Sequence, residues 1–262
     1  MHAKQKILIA LGDYKYLTYK QCDDLGICES TTAQKVLSLL KKEGKVDRFG
    51  YSSFAYDDDH PREFLYYLTL SGATELRAYG HKAHYPKTPK LDDNQDIAHN
   101  IITNNLRITC EKWGKQYGFQ IGDLKTYFSS NEKFEVATTI VLGKKKLRPD
   151  LIFSATKETD MYFVLELTNS DGTKLVVEKF QDLHKCMMKM LYKETYGWAK
   201  TPRILAALKN NDQLRLVLSW IKTDPYFEDF PRCLFLSTVE NLSTDFDLWV
   251  DHDGQEVRLS QL

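Results

Sequence analysis

Apolar positions in the first ninety residues recur at helical steps, then alternate as strands do. Ile7, Leu8 and Leu11 place a helix over Lys4–Leu11. Thr18-Tyr-Lys-Gln21 matches a capping box, in which a Thr hydroxyl and a Gln side chain satisfy the first free amides of a helix, here a brief one ending near Leu25-Gly26. A second such box at Thr31-Thr-Ala-Gln34 opens a longer helix that stops at Gly44. Along it Ala33, Val36, Leu37 and Leu40 form an apolar stripe, while Gln34, Lys35, Ser38, Lys41 and Lys42 form a polar, basic one. Strand-like runs follow at Lys45–Phe49 and Phe64–Leu70, and a short helix runs from Ser71-Gly72 through Arg77. Three short helices with a Gly-bearing turn, then a strand pair, predict a winged helix-turn-helix over residues 1–85.

The stretch Pro86-Lys-Thr-Pro-Lys90 marks a linker, set at 86–95. Beyond it Ile97, Ile101, Ile102, Leu106, Ile108 and Trp113 predict a helix over Asp96–Tyr117. Strand-like runs come at 138–142, 148–154 and 161–168, then a long helix at 176–196 with Phe180, Leu183, Met187, Met190 and Leu191 on one face. A strand at 203–208, a helix at 212–221 and strands near 233–237 and 247–250 complete a second domain, 96–262. Helix, three strands, helix, strand, helix is the order of an α/β (α+β) core with a mixed sheet.

Composition narrows this little. A chain of 262 residues with 42% hydrophobic and 27% charged residues reads as a soluble protein of two modest domains. No apolar run reaches the ~20 residues that cross a bilayer, and the amino terminus shows no signal-peptide pattern. Five scattered cysteines without zinc-ligand spacing point to free thiols in the cytoplasm. Net charge is zero, so local patches must carry any nucleic-acid binding. Residues 1–90 hold 14 Lys plus Arg against 11 Asp plus Glu, three of the acids being Asp57–Asp59. That acidic run opposes a wing tip lying on phosphates.

The most specific chemistry is carried by Asp150 and Glu166. Arg148-Pro149-Asp150 opens one apolar strand, and Glu166 sits in the run Tyr162–Thr168. If the polar segment Thr156–Asp160 turns about Glu158, position 150 falls opposite 166, and facing side chains in an antiparallel pair lie ~5 Å apart. Two carboxylates so placed need a proton or a divalent cation between them. An acid inside a central strand needs a partner, whereas one at an edge faces water.

Helix, strand meander bearing Pro-Asp and then Glu-x-x, crossing helix and further strand resembles the PD-(D/E)XK, restriction-endonuclease-like fold. With the winged helix ahead, His99-Asn100 in the joining helix and Arg148-Pro149-Asp150 before Glu166, the chain resembles the replication-relaxation group of plasmid proteins and the related MOBC class of conjugative relaxases. The resemblance spans most of residues 1–200. It implies a mixed-sheet α/β/α core and a metal-dependent DNA-nicking relaxase acting on double-stranded plasmid DNA at a transfer or mobilisation origin. Mg²⁺ or Mn²⁺ would be held by Asp150 and Glu166, and a relaxosome accessory protein and a coupling ATPase would be partners. One departure stands out: the pattern has a lysine two residues after the Glu, and this chain has Thr168. Lys179, on the following helix near the border of its apolar stripe, is the substitute cation, and His99 orients phosphate or shuttles a proton.

Candidate DNA contacts are Thr31, Thr32, Gln34, Lys35, Ser38, Lys41 and Lys42 on the second capped helix, Arg48 in the hairpin, and Lys146 and Arg148 before the acids. No Walker A sequence occurs, so no nucleotide is expected. Two other readings stay open: a non-catalytic DNA-binding accessory or regulator, favoured by Thr168, and a restriction- or transposon-type endonuclease.

Overall fold

A computed structural model describes residues 2–51, 63–81, 85, 94–129, 136–168, 172–227 and 233–262. The chain divides into two compact units, Met1–Ile108 and Thr109–Leu262. Asp57–Asp59 and positions 86–93 of the expected linker lie outside the described residues. The boundary falls inside a helix rather than at 86–95, because that helix begins at Asn94 and its first half, from Ile97 to Ile108, packs into the first unit's cores.

The first unit runs α1 (Ala3–Tyr14), β1 (Tyr16–Leu17), α2 (Tyr19–Asp24), α3 (Ser30–Lys42), β2 (Val46–Tyr51), β3 (Glu63–Leu68), α4 (Leu70–Ala78) and the start of α5 (Asn94–Tyr117). Strand order is β1-β3-β2, all antiparallel, which with α1–α3 makes a winged helix-turn-helix. Period-two alternation splits β3 between two clusters. Tyr66 and Leu68 join Ile7, Leu11, Leu37 and Leu40 beneath the helices, while Leu65 and Tyr67 pack with Tyr16 and Ile97. The capping box at α2 is present, Thr18 Oγ1 accepting from Gln21 N at 3.1 Å and Gln21 Oε1 from Thr18 N at 2.9 Å. The one read at Thr31 is not. Helix α3 starts at Ser30, whose amide and hydroxyl both donate to Asp23 Oδ2, at 2.9 and 2.8 Å, so an acceptor from α2 does the capping. Thr31 and Gln34 are left exposed. Gly44, at φ +68°, ends α3 as read, with Lys45 N returning to Leu40 O at 2.9 Å.

The second unit continues from α5 through β4 (Gln120–Thr126), β5 (Ile140–Leu142), β6 (Lys145–Leu147), β7 (Leu151–Thr156), β8 (Asp160–Thr168), α6 (Thr173–Met188), α7 (Leu191–Tyr196), β9 (Arg203–Leu208), α8 (Asn211–Thr223), β10 (Leu234–Thr238), α9 (Val239–Thr244), β11 (Leu248–Asp251) and β12 (Glu256–Arg258). Seven strands form one mixed sheet in the order β12-β11-β10-β9-β8-β7-β4, parallel at β8–β9 and β9–β10 and antiparallel elsewhere. On one face Ile152, Val164, Ile204 and Leu236 pack with Val177, Phe180 and Leu183 of α6 and Val217 of α8. On the other, Phe153 and Phe163 stack at 4.7 Å, and Phe246 bridges Phe153 to Trp113 of α5.

Two elements differ from the expected pattern. The run at 138–142 is not in the main sheet: β5 pairs only with β6, and Ile140 and Leu147 of that hairpin join the core on the α6 side. Its place in the meander belongs to β4, whose bulge between Gly122 and Lys125 breaks the alternation that marks a strand. The helix read as continuous over 176–196 breaks at Met190, which takes a left-handed φ of +54° and is 65% exposed rather than core. The five cysteines form no disulfide. Among the described residues no helix is long and apolar enough to cross a membrane.

Candidate functional site

The turn between β7 and β8 is centred on Glu158, since Thr156 pairs with Asp160 and Leu151 with Leu165. The next position sets Asp150 against Glu166, on the sheet face covered by α6. Because β8 lies between β7 and β9, Glu166 belongs to an interior strand, and it is 3% exposed against 5% for Asp150. The peptide of Asp150 is fixed at both ends, its N–H donating to Leu165 O at 3.1 Å and its C=O accepting from Tyr127 N at 2.9 Å. Its carboxylate Oδ2 accepts from Leu167 N at 2.7 Å. These three supports are main chain, so the hairpin register aims the side chain.

Lys179 reaches this pair from the second turn of α6. Val176, Val177 and Phe180 bury the helix face against the sheet, and the Lys179 ammonium emerges at the rim and donates to Glu166 Oε1. Its side chain is 33% exposed against 4% for Glu166, so the stem lies along apolar surface while the head meets the acid. Glu178 points to solvent. Glu166 Oε2 is buried and has no hydrogen-bond donor among the described residues. Burial and then the neighbouring Asp150 carboxylate hold the Glu166 carboxyl well above the ordinary range, against the pull of Lys179. Burial draws Lys179 down, but the charges of Glu166 and Asp150 outweigh it and raise the ammonium's pKa. No group of three or more His, Cys, Asp or Glu converges among the described residues, so the acids here are two.

Thr168, on the same face of β8, is 6% exposed, and its hydroxyl donates to Gln213 Oε1 of α8 at 3.3 Å. That oxygen also accepts from Lys209 N at 2.8 Å. A lysine here would have to enter this closed network, which accounts for a cation arriving from α6. Outward from Lys179 a cleft of about 460 Å³ is lined by Lys146, Arg148, Leu175 and Glu178. Lys145 also borders it, tied to Asp182. Lys146 and Arg148 are exposed. His99 belongs to the part of α5 in the first unit and is not among the residues the second unit assembles.

In the first unit Thr31, Gln34, Lys35, Ser38, Leu39 and Lys42 line a shallow groove on the outer face of α3, with Thr32 exposed beside it. Two residues grouped with them point their charge elsewhere. Lys41 pairs with Asp47 of β2. Arg48 stacks 3.5 Å from the centre of the Phe64 ring and donates from Nη1 to Tyr66 Oη at 3.4 Å, which makes it a brace of the hairpin. Leu39 is absent from the residues expected on this face. Its signal is nonetheless present in the chain: it is the apolar residue of α3 that falls outside the buried stripe, and it is 49% exposed.

No family model matches the chain. No curated protein matches it. Among solved structures it is similar to Bacillus subtilis PadR in complex with operator DNA, at 19% identity and a TM-score of 0.26, covering 44% of this chain and 73% of that one. A likeness at that score carries no weight for fold or function.

Proposed function

We propose that the chain is a DNA-binding protein whose second unit cleaves a phosphodiester bond with the help of a divalent metal. The observation that carries this reading is the convergence of Asp150, just before β7, with Glu166 of β8 and Lys179 of α6 on one face of the sheet, next to a basic cleft. Two facing carboxylates, one with a donorless oxygen, fit the oxygen-ligand chemistry of Mg²⁺ or Mn²⁺. Asp150 and Glu166 would hold that ion, which when bound polarises a phosphate and makes a coordinated water more acidic. Asp150 is aimed by the Leu167 amide, and Glu166 by its place in an interior strand. Lys179, kept charged by both acids, supplies a cation at the rim for the negative charge that grows on phosphate oxygens. Lys146 and Arg148 would hold the backbone on either side.

The winged helix supplies recognition in this reading, with the groove of α3 against duplex DNA. Nicking at a plasmid transfer origin, with an accessory protein and a coupling ATPase as partners, is its finer form. It rests on the order of parts: winged helix, joining helix, meander with Pro-Asp and Glu, crossing helix, parallel strand. A second reading, a DNA-binding protein without chemistry, is favoured by Thr168 and by the closure of Glu166 Oε1 by Lys179.

Purified protein incubated with Mn²⁺ and supercoiled plasmid carrying a candidate origin is expected to give open circles, and Asp150→Asn and Glu166→Gln each to abolish them while circular dichroism is unchanged. Linear product indicates a restriction- or transposon-type enzyme. Duplex binding without any strand break selects the non-catalytic reading, and nicking that survives both substitutions removes the metal pair.

A further inference from the structure

The outer face of α3 carries an unusual mixture for a solvent face. Lys35 and Lys42 run down it without an ion-pair partner among the described residues, Gln34 flanks them on one side, and the isobutyl group of Leu39 stands half-exposed on the other. At 100° per residue Lys42 lies near the middle of the face, Gln34 about 80° to one side and Leu39 about 60° to the other, with Thr32 beside Leu39. The helix sequence STTAQKVLSLLKK contains no arginine, one of the two cationic side chains that read guanine; the other, lysine, is present and is assigned here to phosphate. Its neutral recognition groups are one carboxamide, which matches the donor–acceptor pair of adenine N6 and N7, the apolar side chain of Leu39, which matches the 5-methyl of thymine, and the hydroxyls of Thr31, Thr32 and Ser38, which suit either base pair and leave the carboxamide and the apolar group to discriminate. The cations fit a phosphate-lined groove.

From this we infer that α3 reads A·T base pairs in the major groove, with Leu39 packed on a thymine methyl and Gln34 on an adenine edge. The inference rests on the reading of the first unit as a duplex DNA binder and adds what that unit selects. Leu39 is 49% exposed and is not one of the first unit's buried core positions, so shortening its side chain opens no cavity in that core.

The test begins with selection of duplexes from a random pool by the full chain, followed by fluorescence anisotropy at one fixed salt concentration. The selected core is expected to be A·T-rich. Replacing its thymines by deoxyuridine, which deletes only the 5-methyl groups, should weaken wild-type binding by about fourfold for each methyl in contact. Leu39→Ala should bind the thymine and deoxyuridine duplexes equally, and Gln34→Ala should relax the preference for adenine while keeping the methyl effect. A selected core of G·C pairs overturns the inference, as does wild type indifferent to deoxyuridine or Leu39→Ala that still discriminates. In those cases binding itself survives. If no duplex is retained at all, the DNA-binding reading fails and the inference fails with it.

Discussion

Replacing Lys179 by Met keeps the apolar stem and removes the ammonium from Glu166 Oε1, leaving two buried carboxyl groups face to face. Deleting one partner of a fully buried ion pair costs ~3–5 kcal/mol. Here the lysine head is one-third exposed and Glu166 can take up a proton, so about 2 kcal/mol is expected at pH 8. The loss depends on pH in a definite direction. Glu166 already binds its proton more tightly in the folded protein than in the unfolded chain, and without the ammonium it binds tighter still. Below the ordinary Glu value both states carry that proton and the carboxylate contributes nothing. As pH rises past that value the unfolded chain ionises and the folded variant does not, so folding is progressively disfavoured. The gap between wild type and Lys179→Met therefore widens as pH rises through the raised pKa of the wild-type Glu166 carboxyl, and it narrows nowhere below the lysine's range. It grows by about 1.4 kcal/mol for each tenfold change that loss of the ammonium makes in the carboxyl's dissociation constant. The lysine adds no slope of its own in this window: its raised pKa contributes stability that is complete below 10.5 and lost only above it. Urea unfolding followed by circular dichroism at pH 5, 6.5 and 8 measures the gap. A gap that narrows toward pH 8, or equal stability at pH 8, would refute the buried pairing, and adding Glu166→Gln to the Lys179→Met variant should flatten the dependence.

Other perturbations test the frame around the sites. Gly72→Ala places a Cβ 2.0 Å from the Lys45 carbonyl oxygen, a backbone atom that cannot rotate away, and should destabilise the first unit by about 3 kcal/mol in urea melts. Thr18→Ala removes the α2 cap and should cost about 1 kcal/mol, read as a lowered thermal midpoint. Asp247, 1% exposed, accepts from Trp113 Nε1 at 2.8 Å and from Ser260 N and Oγ at 2.7 and 2.8 Å, so Asp247→Ala should cost about 3 kcal/mol and alter tryptophan fluorescence. If α3 lies on DNA, Lys35→Ala with Lys42→Ala should make the slope of log affinity against log salt shallower by about 1.8, whereas Lys41→Ala, whose charge is held by Asp47, should change it less.

Elements with an unbroken period are legible in the chain. Helices α1, α2, α3 and α5, strands β7 and β8 and the turn at Glu158 follow from residues whose pattern needs no distant partner. What stays hidden has a local reason. A bulge and a left-handed Asp123 remove the alternation from β4. Nothing in the chemistry of Met190 announces the break between α6 and α7, because side chains at 187, 190 and 191 satisfy a helical stripe whether or not the helix continues. A boundary between units drawn where composition changes falls at 86–95, yet contacts through Ile97 and Ile108 carry the first unit into α5.

The sequence by itself determined which faces are apolar and which residues oppose each other across the β7–β8 hairpin, since a period and a turn centre fix those with no reference to the rest of the chain. Only the tertiary structure decided the partners. A charge's neighbours depend on which elements pack together: α6 brings Lys179 to Glu166, β2 takes Lys41 with Asp47, the β3 rings hold Arg48, and α8 closes Thr168 with Gln213. Electrostatic pairing acts over a few ångströms through space, and positions tens of residues apart acquire that distance only when the layers have closed.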